Sequence, residues 1–370
     1  MRRTGLMFYE FEPSEVAEEL AEKFGYRTYM VERYLRMFGE SETLDLLKAN
    51  DETAPTTIRI NTIKAESTDF LNTLKQKGYP FKQMSRIANA YELDAEAFRY
   101  KDVERYSKQN RPPRKHRKRV KMEFYSSKVR ETEETDYTRS SKELSKLEWG
   151  RRDSRKKKEQ KEAVKKKKIN DSKRAKERVK TATLGSVDEY LMGNYYIQGY
   201  ASMLPPVYLD VSSEDTVVDM CAAPGGKTTH LAQLMNNVGQ LVAVEMDRER
   251  MKSLNYNLRR CGVQNTVVLN IDATKISKYD IYPDKILLDA PCSGEGVIRE
   301  DPKRKTSKTP GDIKYMMRTQ KRLLETAVRS VKPGGYIMYS TCSIAPEENE
   351  FVIQAALDNH DNLSIVPVND

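Results

Sequence analysis

From Thr216 onward the chain repeats one pattern: a short run of consecutive apolar residues, then a longer amphipathic stretch. The apolar runs are Thr216-Val217-Val218-Asp219, Gln240 to Glu245, Thr266 to Asn270, Lys285 to Asp289 and Tyr336 to Ser340, with helical spacing over about 228–236, 247–260 and 312–331. Strands without polar alternation have to be covered on both faces, which a parallel sheet with crossover helices achieves. The expected fold class is therefore α/β, a doubly wound and mostly parallel sheet, with its domain running over 184–370.

At 370 residues the chain exceeds one ordinary domain. Ahead of the sheet, residues 13–49 read as helices, with Val16, Leu20, Phe24, Val31, Leu35, Leu44 and Leu47 at helical spacings. Pro55 to Asn61 reads as a turn leading into a strand, and Phe70 to Leu74 as a helix ended by Gly78. Residues 1–100 are thus expected to hold a helical segment and a small α+β domain.

Between these two lies a segment of another character. Residues 101–180 carry 31 Lys and Arg against 14 Asp and Glu, a charge of +17. The remainder then holds 34 basic and 41 acidic residues, a charge of −7, so the net +10 belongs to one arm. Runs such as Arg155-Lys156-Lys157-Lys158 and Lys165 to Lys168 leave too few apolar residues to offset ordering entropy. A disordered basic insert over 101–183 is expected, able to bind phosphates through counterion release.

The four cysteines, Cys221, Cys261, Cys292 and Cys342, form no CxxC pair, so neither a disulfide framework nor a metal site is expected. The start holds no apolar stretch suited to a signal peptide, and no run approaches the roughly 18 apolar residues of a membrane span. These readings place the chain in the cytoplasm, or in the nucleus or nucleolus if the cell has one.

The first strand turns through Cys221-Ala222-Ala223-Pro224-Gly225-Gly226-Lys227 into a helix. Small residues there let backbone N–H groups approach a ligand at the helix start. Neither the ATP-binding GxxxxGK[ST] spacing nor the spaced dinucleotide glycines are present. Glu245 after the second strand is placed to accept from a ribose diol, and Asp272 after the third to take an adenine amino group. Acids at the tips of strands two, three and four fit a cationic sulfonium better than a pyrophosphate.

Strand four ends in Asp289-Ala290-Pro291-Cys292-Ser293-Gly294-Glu295-Gly296 and strand five in Ser340-Thr341-Cys342-Ser343. Ligands of open α/β sheets bind beyond the carboxyl ends of the strands, so two cysteines 50 positions apart would share one cleft. A lone cysteine is most often a small buried hydrophobe. Two of them amid Pro, Ser, Thr and Gly at adjacent strand tips fit that description poorly.

These three motifs, in this order, resemble the Sun-type (Nop/Nol/Sun) RNA cytosine-C5 methyltransferases, with the archaeal tRNA and rRNA methylases most alike. Leu184-Gly185-Ser186, Tyr195 to Gly199 and Ser202 to Pro206 resemble the family's approach to its catalytic domain, and Pro55 to Asn61 its small N-terminal, RNA-binding domain. The resemblance covers 184–355 closely and 50–95 loosely. It implies a Rossmann-like class I methyltransferase that uses S-adenosyl-L-methionine, acts on tRNA or rRNA as a monomer and needs no metal or membrane. Cys342 would be the nucleophile at cytosine C6, Cys292 would assist proton removal or product release, and Asp289 would hold the base edge. Cys221, Ala222, Ala223, Pro224, Gly225, Gly226, Lys227, Glu245, Arg250, Asp272 and Asp289 would line the cofactor. Two departures stand out. The basic insert replaces a shorter linker, and the stop at Asp370 implies a fragment or a sheet that ends on an exposed edge strand. The alternative reading is an RNA-binding ribosome-assembly factor with a vestigial site. A third, a methyltransferase for protein or a small molecule, has no need of two strand-tip thiols.

Overall fold

The computed structural model describes residues 11–99, 102–103, 105–106 and 184–368. Residues 107–183, the bulk of the expected basic insert, lie outside them. Among the described residues no helix is long and apolar enough to cross a membrane.

The helical segment is a pair. Helix α1 (Glu15–Phe24) begins at Ser14, whose hydroxyl accepts from the Ala17 N–H, and ends at Gly25 in the left-handed region. Helix α2 (Thr28–Asp51) follows and breaks at Gly39, where φ is +75°. Their apolar stripes, including Ala17, Ala21, Met30, Val31 and Leu47, close on each other and on Ile298 and Ile344. The pair therefore packs on loops that follow strands of the main sheet.

The small domain holds β1 (Thr57–Ile60), α3 (Ser67–Gln76), β2 (Phe81–Gln83) and β3 (Ala90–Leu93). After the insert, a turn of helix α4 (Asp188–Leu191) leads to β4 (Tyr195–Ile197). The strands form an antiparallel sheet in the order β2-β3-β1-β4. Ile58, Ile60, Leu74, Tyr91, Leu184 and Tyr195 share its core with Val103. The sequence reading assigned everything from 184 to the parallel-sheet domain. A three-residue strand carries too little periodicity to register, and its pairing with β1 sets Arg59 opposite Tyr196, 137 positions away.

Helix α5 (Tyr200–Tyr208) leads to the main domain: β5 (Thr216–Asp219), α6 (Gly226–Leu234), β6 (Gln240–Val244), α7 (Arg248–Cys261), β7 (Thr266–Leu269), β8 (Lys285–Asp289), α8 (Pro310–Ser330), β9 (Tyr336–Ser340) and α9 (Glu350–Asn359). All strand pairs are parallel, in the order β7-β6-β5-β8-β9. Val217, Leu241 and Leu287 face α6, while Val218, Ile286 and Leu288 face α8 and α9. Two covered faces explain why these strands read as unbroken apolar runs. The order reverses between β5 and β8, which opens the ligand crevice beyond their carboxyl ends.

One buried ion pair ties the helical pair to that crevice. Arg33 on α2 is fully buried and closes on Glu295 in the loop after β8, with Glu347 at 3.7 Å. The Tyr34 hydroxyl donates to the same Glu295 carboxylate at 3.4 Å. Burial pushes the Glu295 carboxyl above the usual carboxylate range, and the Arg33 charge pulls it back. Two interior carboxylates without their cation are costly. Arg33→Met should lower the unfolding free energy by about 3–5 kcal/mol, measured by denaturant titration. A loss below about 1 kcal/mol would mean that the pair contributes no more than an exposed one.

Candidate active site

At the end of β5 the chain turns through Cys221–Lys227 into α6. Gly225 caps the helix with φ at +102°, and a Cβ there would press on Leu254 at 3.1 Å. The Ala222 N–H donates to Val244 O, which ties the loop to the tip of β6. Glu245, one residue further, is 4% exposed. Its carboxylate accepts from the N–H groups of Ala223 (3.3 Å) and Asp247 (2.9 Å). Arg250 stands 3.7 Å from the Glu245 carboxylate and donates to Ala223 O at 2.6 Å. Loop, Glu245 and Arg250 thus form one stitched rim. Burial pushes the Asp219 carboxyl beneath it up to about 7, and one of its oxygens accepts from the Thr228 hydroxyl. Burial likewise pushes the Cys221 thiol up, so it stays protonated. Asp272 caps the turn Ala273–Tyr279, accepting the Thr274 N–H at 3.0 Å and its hydroxyl at 2.8 Å.

The cleft in front of this loop runs to Asp289 and is walled on its far side by Tyr196, Gln198 and Ser202. Both domains build it. Arg59 on β1 crosses the boundary to donate to Gly226 O (3.3 Å), the Thr229 hydroxyl (2.7 Å), Gln198 and Gln233. It is 1% exposed and all four acceptors are neutral, and burial pulls its guanidinium down to about 10. Burial and the Arg59 charge both lower the neighbouring His230, which stays neutral. The first turn of the cofactor-loop helix is therefore held by a residue of the small domain.

Strands β8 and β9 pair with Asp289 opposite Ser340, so the turns that follow them lie side by side. The Asp289 carboxylate accepts from the Ser340 hydroxyl and from Lys227 Nζ, each at 2.8 Å. Beyond it the sulfurs of Cys292 and Cys342 are 3.0 Å apart. Cys342 is exposed and Cys292 half-buried. The hydrogen bond from Cys292 holds the Cys342 thiol below its ordinary value; burial and Asp289 oppose it, and Lys227 and Arg304 assist it. Cys292 moves the other way, raised first by its bond to Cys342, then by burial, the Cys342 charge and Glu348. The two shifts run in opposite directions and favour negative charge on the sulfur that faces solvent. Gly296 makes this closeness possible. Its N–H donates to Cys342 O at 2.8 Å, and a Cβ would stand 2.9 Å from the same oxygen.

The structure thus lines one cleft with Cys221–Pro224, Gly226, Lys227 and Asp289, ties Glu245 and Arg250 to the loop, and places Cys342 and Cys292 beyond Asp289. Asp272 stands apart as a turn cap. Sequence reasoning missed Arg59, Gln198 and Tyr196, which reach the cleft from the small domain. It also missed Glu348 and Asn349, whose stretch Pro346 to Glu350 reads as an acidic, solvated helix start. Only their place a few residues after Cys342 could have drawn attention to them.

Comparison with known proteins agrees with this geometry. Residues 206–370 match the family described as 16S rRNA methyltransferase RsmB/F, and residues 26–97 its ferredoxin-like domain. A mouse 28S rRNA (cytosine-C(5))-methyltransferase is 46% identical over 188 residues, 50% of this chain and 24% of that protein. The 26S rRNA (cytosine-C(5))-methyltransferase nsun-1 of Caenorhabditis elegans is 31% identical over 95% of this chain and 41% of its own length. The chain spans less than half the length of the curated relatives it matches. The crystal structure of a methyltransferase homolog from Pyrococcus horikoshii superposes with a TM-score of 0.64 at 31% identity, over 94% of this chain and 84% of that one. A ferredoxin-like sheet, a Rossmann-like parallel sheet and paired strand-tip cysteines come together here, and the chain belongs to the Sun-type (RsmB/F-like) family of RNA cytosine-C5 methyltransferases.

Proposed function

We propose that this protein methylates C5 of cytosine in ribosomal or transfer RNA, with Cys342 as nucleophile and S-adenosyl-L-methionine as methyl donor. The observation that carries the reading is the asymmetric thiol pair: sulfurs 3.0 Å apart, with the exposed one held below the ordinary thiol range by its contact with the other. Cytosine C5 is a weak nucleophile. A thiolate from Cys342 adding to C6 breaks the C5–C6 double bond and makes the ring enamine-like, with electron density on C5. Asp289, at the head of the neighbouring turn, is placed to hold the N3/N4 edge during addition. After transfer, C5 gives its proton to a solvent water acting as base, the C5–H pair re-forms the C5–C6 double bond, and the C6–S bond breaks with its electrons returning to Cys342. Cys292, whose sulfur lies 3.0 Å from that of Cys342, then hydrogen-bonds the departing thiolate.

The cleft suits the donor. S-adenosyl-L-methionine would supply an electrophilic methyl on a cationic sulfur. Carboxylates at two strand tips, Glu245 and Asp289, offer counter-charge and acceptors, and the loop Cys221–Lys227 offers a close backbone approach. RNA as substrate is supported by the relatives' activity on rRNA and by the +17 charge of residues 101–180.

Cys342→Ala should lower methyl transfer by at least about 10³-fold, followed with tritiated donor. Cys292→Ala should instead accumulate a covalent protein–RNA species, seen as a slow band on a denaturing gel. Retained transfer in the first variant would overturn the mechanism, and absence of the band in the second would remove Cys292 from the release step. Deleting residues 101–180 should weaken RNA binding and flatten its dependence on salt. An unchanged slope in fluorescence anisotropy would show that the arm does not touch phosphate.

A further inference from the structure

Two adjacent residues that take no part in the mechanism above, one buried and one half-buried, each grip one cysteine turn. Glu348 is fully buried. Its carboxylate accepts from Ser293 N–H (2.8 Å), the Ser293 hydroxyl (2.5 Å) and Gln320 Nε2 (3.2 Å). The same Gln320 amide donates to Pro291 O at 2.8 Å. Pro291 and Ser293 flank Cys292, so both sides of that cysteine are tied to Glu348 and Gln320. Asn349 does the same for Cys342. Its Oδ1 accepts from the Thr341 hydroxyl (2.7 Å), and its Nδ2 donates to Ser343 O and Ala345 O (3.0 Å each). Thr341 and Ser343 flank Cys342.

A chain of hydroxyls joins the two grips. The Ser293 hydroxyl has one proton, and Glu348 takes it. At the 3.1 Å contact between Ser293 Oγ and Ser343 Oγ, Ser343 must therefore donate. Ser343 Oγ in turn accepts from the Ala345 N–H at 3.1 Å. The chain runs one way, from backbone to Glu348, and fixes one turn against the other. We propose that Glu348 and Asn349 are positioning residues: they hold the turns bearing Cys292 and Cys342 in one register and thereby decide which thiol attacks. Strand pairing ends at Asp289 and Ser340, so beyond that point this network and the Gly296–Cys342 bond set the distance between the sulfurs.

The charges at the site favour the same division. Glu348 faces Cys292 and helps to keep that thiol protonated, whereas Cys342 faces Lys227 and Arg304 as well as Asp289. The other ionisable groups packed around Glu348 are Glu295, Glu347, Arg33 and Tyr339, and Tyr339 donates to Glu348 O at 2.6 Å. Satisfied networks of this kind specify one geometry, and a missing member loosens the whole.

The inference rests on the reading of Cys342 as nucleophile, but its test needs neither RNA nor methyl transfer. Each thiol of the full chain is alkylated with iodoacetamide across a pH series and quantified by peptide mass spectrometry. In the parent protein Cys342 should react well ahead of Cys292. Glu348→Gln, which keeps the shape and removes the charge, should narrow that preference about tenfold, the equivalent of one unit of relative thiol pKa. Asn349→Ala frees the other turn and should move the reaction midpoint of Cys342 up toward that of an ordinary thiol. If Glu348→Gln does not fold, Ser293→Ala breaks the hydroxyl chain without altering any charge and should also narrow the preference. A merely structural role predicts a lower melting temperature with the parent's preference and midpoint intact. That result in a folded variant would overturn the proposal.

Discussion

The site depends on the parallel pairing of β8 with β9. Because Asp289 lies opposite Ser340, the two turns that follow start level with each other, and cysteines 50 positions apart meet at their sulfurs. A slip of one residue would send one thiol to the opposite face of the sheet. Register here is set by the apolar cores on both faces, through Ile286 and Leu288 on one side and Leu287 on the other. The chemistry at the tips is thus a consequence of packing in the middle of the sheet.

Around this pairing the protein places its charges unusually deep. Arg33, Arg59, Glu295, Glu347 and Glu348 are all nearly inaccessible, and each joins segments distant in sequence. Burying such groups costs more in desolvation than it returns unless partners are closely matched. What they add is specificity of arrangement. Arg59 holds the cofactor-loop helix to the small domain, and Arg33 holds the helical pair to the loop after β8. The small domain and the parallel-sheet domain are joined by directional bonds rather than by apolar contact alone, which limits how they can slide past each other.

Much of this was legible in the sequence, for a physical reason. Runs such as Val217-Val218 and Ile286-Leu287-Leu288 must be covered on both sides, so the parallel sheet followed from composition alone, and its strand ends came within a residue of those observed. The glycine-rich turn and the two cysteines stood out because small, reactive residues at strand tips have few structural uses. The buried charges did not stand out. Glu347 and Glu348 sit in a polar stretch that looks solvated, and nothing local says that Ser293 and Arg33 will cover it. Strand β4 escaped because three residues carry no period, and Lys227 was expected to line the cleft, where it also holds Asp289.

The central claim is that Cys342, and not its neighbour, forms the bond to the base. Fluorine at C5 cannot leave as a cation, so an RNA substrate carrying 5-fluorocytosine should stall the reaction after methyl transfer with the C6–S bond intact. Digestion and mass spectrometry of the stalled complex then locate the sulfur. The account predicts a modified peptide containing Cys342. A modified Cys292 peptide, with Cys342 free, would contradict it.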